Sequence, residues 1–513
     1  MKTPVFDVAI IGGGINGCGI ARDAAGRGLA VFLCEKDDLA SGTSSRSTKL
    51  IHGGLRYLEY YEFRLVREAL REREVLLQAA PHIIWPLRFI LPHHQGLRPA
   101  WLIRLGLFLY DHIGGRKLLP GTGSVDLRTD VAGHVLKKNF SRGFEYSDCW
   151  VMDSRLVVLN AMDARDKGAK IRTRSPLRTA TRRGKTWQLT LFDELVNKEF
   201  QIEAKVLINA SGPWLDELLN HISHSATREH IRMVQGSHII VPQLFNHGRA
   251  YIFQNADGRI IFAIPYESEF TLIGTTDRDF HGNPDTVHIS PEETDYLCKA
   301  ASEYFLRQIV KEDVVGSFSG IRPLFDDGKS EAKAATRDYV LKLDTGKNEA
   351  PLLSIYGGKI TTYRKLAESV LDKLAPFLPE MGKEWTEPCH LPGGDFHPGD
   401  FDLEVKKLLR RCPVLHRELA TRLLRTYGTR AYAMTDKIKE AGDLGQHFGH
   451  DLYGVEVDYL LAEEWAGCAA DVLWRRTKLG LFLSAEKTET LDGYIKKKIS
   501  GETHSLPTAN EEK

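Results

Sequence analysis

Residues 5–36, "VFDVAIIGGGINGCGIARDAAGRGLAVFLCEK", constrain the fold more than any other stretch of the chain. The apolar run from Val5 to Ile11 predicts a strand that is buried on both faces. A GxGxxG pattern follows, then apolar residues at helical spacing, and then a second strand from Leu29 to Cys34 that ends beside Glu35. This order predicts a β-α-β unit of a mostly parallel sheet.

The glycines and the acid of this unit indicate a dinucleotide site. Gly12 permits the tight turn, Gly14 lets the backbone approach a pyrophosphate, and Gly17 lets helix and strand pack closely. The helix N-terminus favours phosphate, and Glu35 is placed to accept hydrogen bonds from ribose hydroxyls. An acid at this position disfavours the 2′-phosphate of NADP, which leaves NAD and FAD. The competing interpretation is a glycine-rich turn in an unrelated α/β domain.

Two later segments favour FAD over NAD. "KVLINASGPW" (205–214) is a buried strand that runs into a turn of small residues. "PLLSIYGGKITTYRKLAESVLDKL" (351–374) is another strand, followed by two glycines and a helix for which Thr361 or Thr362 is a candidate cap. Both predict that the chain returns repeatedly to the nucleotide sheet, which a simple nicotinamide domain would not need.

Composition narrows the class of protein. The chain has 513 residues, 42% of them hydrophobic and 27% charged, which predicts a globular protein of two to four domains. A net charge of +1 provides no general attraction for nucleic acid. The seven cysteines are scattered without a CxxC pair, so we expect no metal site and no disulfide framework, as suits a reducing cytoplasm. No uncharged apolar run reaches the roughly 18 residues of a membrane span, and no signal peptide precedes the first strand.

The first 375 or so residues resemble the FAD-dependent glycerol-3-phosphate dehydrogenases, within the flavoproteins that include D-amino-acid oxidase. The resemblance lies in residues 7–29, in "TSSRSTKLIHGGLRYLEYYEFRLVREALRER", "GFEYSDCWVMDSRLV", "LINASGPW", "QGSHIIVP", "LIGTTD", "SGIRPL", "ATRDY" and "YGGKITTYRKLAE". The C-terminal region resembles that of the bacterial aerobic enzymes, with no calcium-binding extension. The resemblance implies oxidation of sn-glycerol 3-phosphate to dihydroxyacetone phosphate, with hydride transfer from C2 to FAD N5 and reoxidation by a membrane quinone. A glycerol-3-phosphate oxidase that uses O2 and releases H2O2 is the alternative.

The resemblance also implies that residues 41–54 run along the flavin. Hydroxyl side chains there can bond to the pyrimidine edge or the pyrophosphate, and the Lys49 ammonium can offset negative charge. The glycines at 53 and 54 would let backbone approach a planar ring. A serine-rich capping loop is the alternative. We expect FAD, held non-covalently, to contact Gly12, Gly14, Asn16, Gly17, Glu35, Ser44, Ser45, Ser47, Lys49, Leu50, His52, Gly53, Ser211, Gly212, Gly358, Thr361 and Thr362.

A phosphomonoester substrate calls for planar, permanently charged donors, which favours arginine. The resemblance implies that Arg322 in "SGIRPL" and Arg337 in "ATRDY" form a phosphate clamp. We expect Arg56 and Tyr57 to open a helix and to face the substrate chamber. An ion pair between Arg56 and Glu59 or Glu62 is the structural alternative for that arginine.

Three residues are candidates for the chemistry itself. His238, at the start of an apolar strand, is a candidate general base for the C2 hydroxyl proton, and His52 is the second choice. A buried histidine without a catalytic role is the competing interpretation. Lys359 precedes the helix after Gly358, where it could stabilise charge on reduced flavin or reach the substrate. We count Lys359 and Arg322 with His238 as catalytic.

The predicted fold class is α/β, or α+β overall. It comprises a discontinuous Rossmann-like FAD domain (1–80, 146–225 and 315–385), an antiparallel cap over the substrate (81–145 and 226–314) and a C-terminal helical domain (386–513). "LPGGDFHPGDFD" (391–402) is predicted to link the last two. The tail at 507–513 is predicted to be disordered.

A quinone acceptor suggests contact with a membrane surface. Residues 97–117, "LRPAWLIRLGLFLYDHIGGRK", mix aromatic and basic side chains as an interfacial helix does, and residues 474–483 are a second candidate. We expect a homodimer in the cytoplasm, peripherally bound to the inner face of the membrane, with no nucleic-acid partner. The remaining alternatives are an amine or amino-acid oxidase and a non-catalytic nucleotide-binding module.

Overall fold

The protein, described by a computed structural model, consists of two compact units, Met1–His390 and Leu391–Lys513. The structure describes residues 3–222, 230–255, 257–326 and 338–503. Arg337 and the tail at 507–513, for which predictions were made above, therefore lie outside the described residues.

The first sheet of the larger unit is built on the predicted β-α-β unit. Strand β1 occupies Val5–Ile11, and its parallel neighbours are β2 (Val31–Cys34) on one side and β10 (Lys198–Asn209) on the other. The second strand is shorter than predicted, beginning at Val31 rather than Leu29. The described strands of this sheet are β1, β2 (Val31–Cys34), β7 (Lys170–Arg172), β8 (Leu177–Arg183), β9 (Thr186–Asp193), β10 (Lys198–Asn209), β17 (Val340–Asp344) and β18 (Leu352–Tyr356).

The late segments return to this sheet as the sequence indicates. Strand β10 lies parallel to both β1 and β18, so the order β18-β10-β1-β2-β7 is wholly parallel. Helix α1 (Ile15–Gly26) packs against α4 (Asp153–Asp166) and α7 (Tyr363–Leu374). The carboxyl ends of β1, β10 and β18 therefore meet at one edge, where ligands bind in sheets of this kind.

The second sheet is largely antiparallel, and only its β4–β12 pair is parallel among the described strands. Its long strands β11 and β16 pair from Ile231 with Phe325 to Ile240 with Gly316. The described strands are β3 (Leu50–Ile51), β4 (Ile84–His93), β5 (Gly123–Asp126), β6 (Arg142–Val151), β11 (Ile231–Pro242), β12 (Ala250–Gln254), β13 (Ile260–Tyr266), β14 (Phe270–Gly274), β15 (Arg278–Asp279) and β16 (Gly316–Phe325).

The division between the two sheets differs in detail from the predicted boundaries. Strands β3 and β16 fall within the ranges assigned to the FAD domain, and β6 crosses the predicted boundary at residue 146, but all three pair within the second sheet. Apolar strands of either sheet look alike in a sequence, because pairing partners far along the chain decide which sheet a strand joins. The domain boundaries stay a prediction.

The segment after Gly54 is not one continuous helix as predicted. Residues Leu55–Tyr60 form a 3-10 turn, Tyr61 takes a left-handed conformation with φ of 59°, and α2 begins at Phe63. The remaining helices of this unit are α2 (Phe63–Ala79), α3 (Ala100–Ile113), α5 (Leu215–Leu219) and α6 (Pro291–Ser302). No helix in the described part of the chain is long and apolar enough to cross a bilayer.

The smaller unit is helical, with a short β-hairpin, and begins five residues after the predicted boundary. Its apolar core includes Leu408, Leu419, Leu423 and Leu424, all buried, with Leu409 packed beside them. The described elements are α8 (Phe401–Arg411), α9 (Arg417–Tyr427), α10 (Arg430–Thr435), β19 (His447–Gly449), β20 (Leu452–Tyr453), α11 (Gly454–Glu463) and α12 (Ala485–Thr503). The predicted amphipathic segment 474–483 is covered by a π-helix, Asp471–Thr477, and a 3-10 turn, Leu479–Leu481.

Candidate active site

The turn between β1 and α1 has the close contacts that the glycine pattern predicts. Gly12 has φ of +117°, and a Cβ there would lie 2.5 Å from the Ala210 carbonyl oxygen. A Cβ at Gly17 would lie 2.0 Å from the Gly12 oxygen, so this glycine serves helix–strand packing and lines neither cavity described below. The turn therefore brings bare backbone to the edge of the sheet, as a pyrophosphate requires.

Glu35 stands at the end of β2 with its carboxylate fixed. Oε2 accepts a 2.7 Å bond from the Gly13 N–H, and Oε1 accepts a 2.9 Å bond from the Asp37 N–H. Burial raises the pKa of this carboxyl to about 7, more than the two hydrogen bonds lower it. A carboxylate held in this way retains lone pairs for ribose hydroxyls.

A cavity of about 350 Å³ lies beside this turn. Asn16, on its wall, donates to the Gly357 carbonyl at 3.1 Å, while its Oδ1 is buried with no partner among the described residues. That unused acceptor suits a ligand with a donor group. Among the predicted FAD contacts, this cavity is lined by Gly12, Gly14, Asn16, Glu35, Ser44, Ser211, Gly212 and Gly358.

A second cavity, of about 320 Å³, adjoins the first. The two share lining residues, among them Ser44, Pro323 and Gly358, so one elongated ligand can occupy both. The second sheet forms part of its wall through strands β11, β13 and β16. Of the predicted residues, it is lined by Ser44, Ser47, Leu50, His52, Arg56, Tyr57, His238, Arg322, Gly358, Lys359 and Thr361.

His238 is buried at the wall of the second cavity in a neutral state. Its ring stacks on Phe318 at 4.8 Å, and Nε2 bonds to Thr48 Oγ1 at 3.0 Å. Burial, aided by the charges of Arg322 and Lys49, holds its pKa well below the usual 6.5. Nδ1 has no partner among the described residues, so a ring nitrogen remains to take part in proton transfer.

Arg322 is held in place by two groups that the sequence analysis did not single out. One guanidinium nitrogen donates to Asp277 Oδ1 at 2.5 Å, and the other donates to Thr275 Oγ1 at 3.2 Å. Both partners also line the second cavity. The segment "LIGTTD" (272–277) carries part of the family resemblance, and its acid was the signal that could have identified Asp277.

Two further cations face this cavity from the other wall. Lys359 Nζ lies 4.1 Å from the centre of the Tyr57 ring, and Arg56 donates to Tyr60 Oη at 3.2 Å. Glu59, considered above as the partner of Arg56, accepts instead from Arg98. Arg46 and Asp148 also line the cavity and were not predicted.

The predicted flavin contact by the Lys49 side chain is wrong. Its ammonium is buried and donates to both carboxylate oxygens of Asp153, at 2.9 and 3.1 Å, and to the Ser45 carbonyl. A buried ammonium needs a carboxylate close by, and this pair satisfies that need without a ligand. Lys49 and Ser45 line neither cavity.

Gly53 and Gly54 differ in what excludes a side chain. A Cβ at Gly53 would lie 2.4 Å from Leu70 and 2.8 Å from Tyr110 Oη, so packing against α2 and α3 explains the glycine. Its N–H donates to Tyr110 Oη, and only Gly54 of the two lines the cavity. The prediction of a flavin approach at Gly53 is therefore not supported by its surroundings.

The threonines before α7 do not act as a side-chain cap. Thr362 is the N-cap residue, but its side chain makes no capping bond. Thr361 Oγ1 instead accepts a 3.3 Å bond from the His52 N–H and lines the second cavity, whereas Thr362 lines neither. The helix start is thus linked to the stretch that was predicted to run along the flavin.

Comparison with known proteins agrees with this geometry. Residues 7–364 match the family model described as FAD dependent oxidoreductase, and residues 385–497 match the C-terminal domain of alpha-glycerophosphate oxidase. A glycerol-3-phosphate dehydrogenase of Pseudomonas aeruginosa is 53% identical over 96% of this chain and 95% of its own. A D-erythritol 1-phosphate dehydrogenase of Brucella abortus is 52% identical, over 93% and 95%. The solved structure of the Bacillus halodurans glycerol-3-phosphate dehydrogenase with FAD has a TM-score of 0.76 at 26% identity, covering 98% and 91%.

The cavities fit the cofactor of this family. The glycine turn, the fixed Glu35 carboxylate and the unpaired Asn16 oxygen match the phosphate, ribose and polar edges of FAD, and the adjoining cavity extends far enough for the ring system. The chain belongs to the family of FAD-dependent glycerol-3-phosphate dehydrogenases, in which this fold is joined to the glycerophosphate-oxidase type of C-terminal domain.

Proposed function

We propose that this enzyme oxidises sn-glycerol 3-phosphate to dihydroxyacetone phosphate. The observation that carries the proposal is the charge of the second cavity, which Arg46, Arg56, Arg322 and Lys359 line together with the carboxylates Asp148 and Asp277. Four cations and two carboxylates leave a net charge of +2, which matches a phosphate dianion. Both histidines of the lining have lowered pKa values, so they add no charge near neutral pH.

Arg322 is the proposed centre of phosphate recognition. Its bonds to Asp277 and Thr275 fix the guanidinium plane before any ligand arrives, which lowers the entropic cost of binding. Asp277 also offsets its charge, so Arg56 and Lys359 are needed to make the site attractive to a dianion. Arg337 remains proposed as a second clamp residue, on the family resemblance alone.

His238 is the proposed general base for the C2 hydroxyl. Because its pKa is lowered by burial and by nearby cations, the ring is neutral near pH 7 and can accept a proton. The bond between Nε2 and Thr48 orients the ring. When bound, FAD supplies the hydride acceptor for C2, and we propose that it is held non-covalently.

Anaerobic mixing with sn-glycerol 3-phosphate tests the proposal directly. Rapid bleaching of the flavin absorbance supports it, whereas a flavin that stays oxidised at millimolar ester contradicts it. Unphosphorylated glycerol is the matched control, since it offers the same carbinol without the dianion.

D-Erythritol 1-phosphate is a second candidate substrate, because the Brucella abortus relative is as similar as the glycerol-3-phosphate dehydrogenase of Pseudomonas aeruginosa. The two esters share a phosphate and a secondary carbinol and differ by one hydroxymethylene unit. The ratio of their kcat/KM values in the same reductive assay decides between them. A larger value for the four-carbon ester would overturn our assignment of the substrate.

We further propose that a membrane quinone reoxidises the flavin. Helix α3, predicted to be interfacial, exposes Trp101, Leu105 and Phe108, at 68%, 48% and 55%. Its N-terminal end is tied by the Arg98–Glu59 ion pair to the turn that carries Arg56 and Tyr57 of the cavity wall. An exposed apolar face beside the chamber suits a protein that meets its acceptor at the inner surface of a bilayer.

Vesicle sedimentation tests whether the exposed face of α3 binds a membrane, and peroxide release tests whether oxygen replaces quinone as the electron acceptor. Replacing Trp101, Leu105 and Phe108 with serine should abolish binding to anionic vesicles, whereas serine at the exposed Leu195 and Val196 should not.

Release of one H2O2 per ester oxidised, with no increase in the rate on adding quinone, would favour the oxidase alternative. Sedimentation equilibrium should give the proposed homodimer a mass of twice the 57.8 kDa of the chain.

A further inference from the structure

A buried carboxylate outside both cavities is joined to the segments that carry their functional side chains. Glu293, near the start of α6, is 7% exposed. Its Oε1 accepts bonds from Thr276 Oγ1 at 2.6 Å and Ser237 Oγ at 2.9 Å. Its Oε2 accepts bonds from Gln235 Nε2 at 2.9 Å and the Ser290 N–H at 3.1 Å. Four donors thus converge on one carboxylate.

The first of these bonds bears on the arginine of the cavity. Thr276 lies between Thr275 and Asp277, the two residues that hold the Arg322 guanidinium. Glu293 therefore anchors the middle of a three-residue segment whose outer members line the second cavity. Displacing Thr276 would move both supports of Arg322 together.

The second bond bears on the histidine. Ser237 directly precedes His238 on β11, and its hydroxyl also bonds to Ser319 Oγ on β16 at 2.8 Å. The Ser237 N–H donates to Thr276 Oγ1 at 2.9 Å, which joins the two branches behind the cavity. Strands β11 and β16 and the Thr275–Asp277 segment are thus fixed to a single side chain on α6.

The position of Glu293 on its helix adds further support to the carboxylate. It is the third residue of α6, within the turn where the helix dipole favours an anion, and it forms a capping box with Ser290. A fully bonded buried network is rigid, and one that loses a member leaves costly unpaired groups.

We infer that Glu293 is a positioning residue for the cavity, holding Arg322 through Thr276 and His238 through Ser237. The inference rests on the proposed function for its choice of substrate. Glu293 touches no ligand itself and acts through the geometry of the two segments.

The variants separate positioning from ordinary helix capping. Glu293→Leu removes all four bonds, whereas Ser290→Ala removes the cap bond that Ser290 Oγ accepts from the Glu293 N–H and leaves all four bonds to the carboxylate in place. Glu293→Gln can keep its oxygen on Gln235 and Ser290 while its amide donates to the two hydroxyls. Thr276→Val removes the bond from Thr276 to Glu293 and the bond that Thr276 accepts from the Ser237 N–H, and it covers the case in which the leucine variant does not fold. Asp295→Ala, on the same helix and paired with Lys311, is the surface control.

The measurement is anaerobic flavin reduction by sn-glycerol 3-phosphate in FAD-loaded protein, together with melting temperature. We expect Glu293→Leu to raise KM about tenfold or more and to lower kcat, with Thr276→Val and Glu293→Gln intermediate. Ser290→Ala should lower the melting temperature yet keep KM within about twofold of wild type. Equal KM effects from the serine and leucine variants, or wild-type kinetics in Glu293→Leu, would overturn the inference.

A second readout keeps this test independent of the proposed function. Inorganic phosphate binding, followed by its perturbation of the flavin spectrum, reports the Arg322 site without turnover. If the wild-type flavin is not reduced by the ester, the proposed function fails. The Glu293 inference then stands or falls on whether Glu293→Leu weakens phosphate binding and Ser290→Ala does not.

Discussion

Replacing Arg322 with alanine removes a cation from the wall of the second cavity and takes away the ion-pair partner of Asp277. A unit charge pair about 4 Å apart is worth roughly 4 kcal/mol at the effective dielectric constant of a protein surface. The Arg322 side chain is 29% exposed and partly neutralised by Asp277 at 2.5 Å, which reduces that value. We expect a loss of about 3 kcal/mol in transition-state binding, or roughly 150-fold in kcat/KM.

The assay is anaerobic stopped-flow reduction of the flavin over a range of ester concentrations. Arg278→Ala is the matched control, because this neighbouring arginine is exposed and lines neither cavity. The structure also predicts the sign of a double variant. Arg322→Ala with Asp277→Asn should be less impaired than Arg322→Ala alone, since it no longer sets a carboxylate that has lost the offsetting Arg322 charge against the dianion. A single variant within threefold of wild type, or a double variant that is worse, would refute the reasoning.

Three further predictions concern buried titratable groups. The kcat of flavin reduction should stay level as pH falls through 6.5, because the pKa of His238 is held well below that value, and an inflection at 6.5 in reductive kinetics would contradict its role. The pKa of Glu35 is raised to about 7, so its carboxylate gains a proton as pH falls below 7 and becomes a weaker hydrogen-bond acceptor. The Kd of FAD, measured by flavin fluorescence, should therefore rise about tenfold from pH 8 to 5.5. Glu35→Gln should flatten that pH dependence. Lys49→Met should cost about 3–5 kcal/mol in urea unfolding, because it removes the ammonium that offsets the charge of the buried Asp153 carboxylate. Lys49→Met/Asp153→Asn should recover part of that loss, and unchanged stability in Lys49→Met would contradict the prediction.

The parts of the fold that local spacing determines were predictable. Strand β1 runs from Val5 to Ile11 as the apolar run indicates, and Glu35 ends the second strand with its carboxylate at the cavity. Each of these features depends on residues within about 30 positions of one another, where strand and helix periodicities carry the information. The return of β10 to the sheet was also recognisable from its apolar end at 206–208 and from the turn of small residues that follows it.

The features that were missed depend on partners far along the chain. Lys49 pairs with Asp153, 104 residues later, and so serves the protein core rather than the flavin. Gly53 is explained by Leu70 and Tyr110 on two separate helices. The support of Arg322 by Asp277 is of the same kind, since the two are neighbours only after the second sheet has formed. A sequence shows which side chains need partners but not which distant ones they find.

A crystal of the FAD-loaded enzyme soaked with sn-glycerol 3-phosphate tests the central claim most directly. We expect the phosphate to lie within hydrogen-bond distance of the Arg322 guanidinium in the second cavity, with the C2 carbon facing the flavin. Density for the ester with its phosphate outside this cavity, or turned away from Arg322, would contradict it.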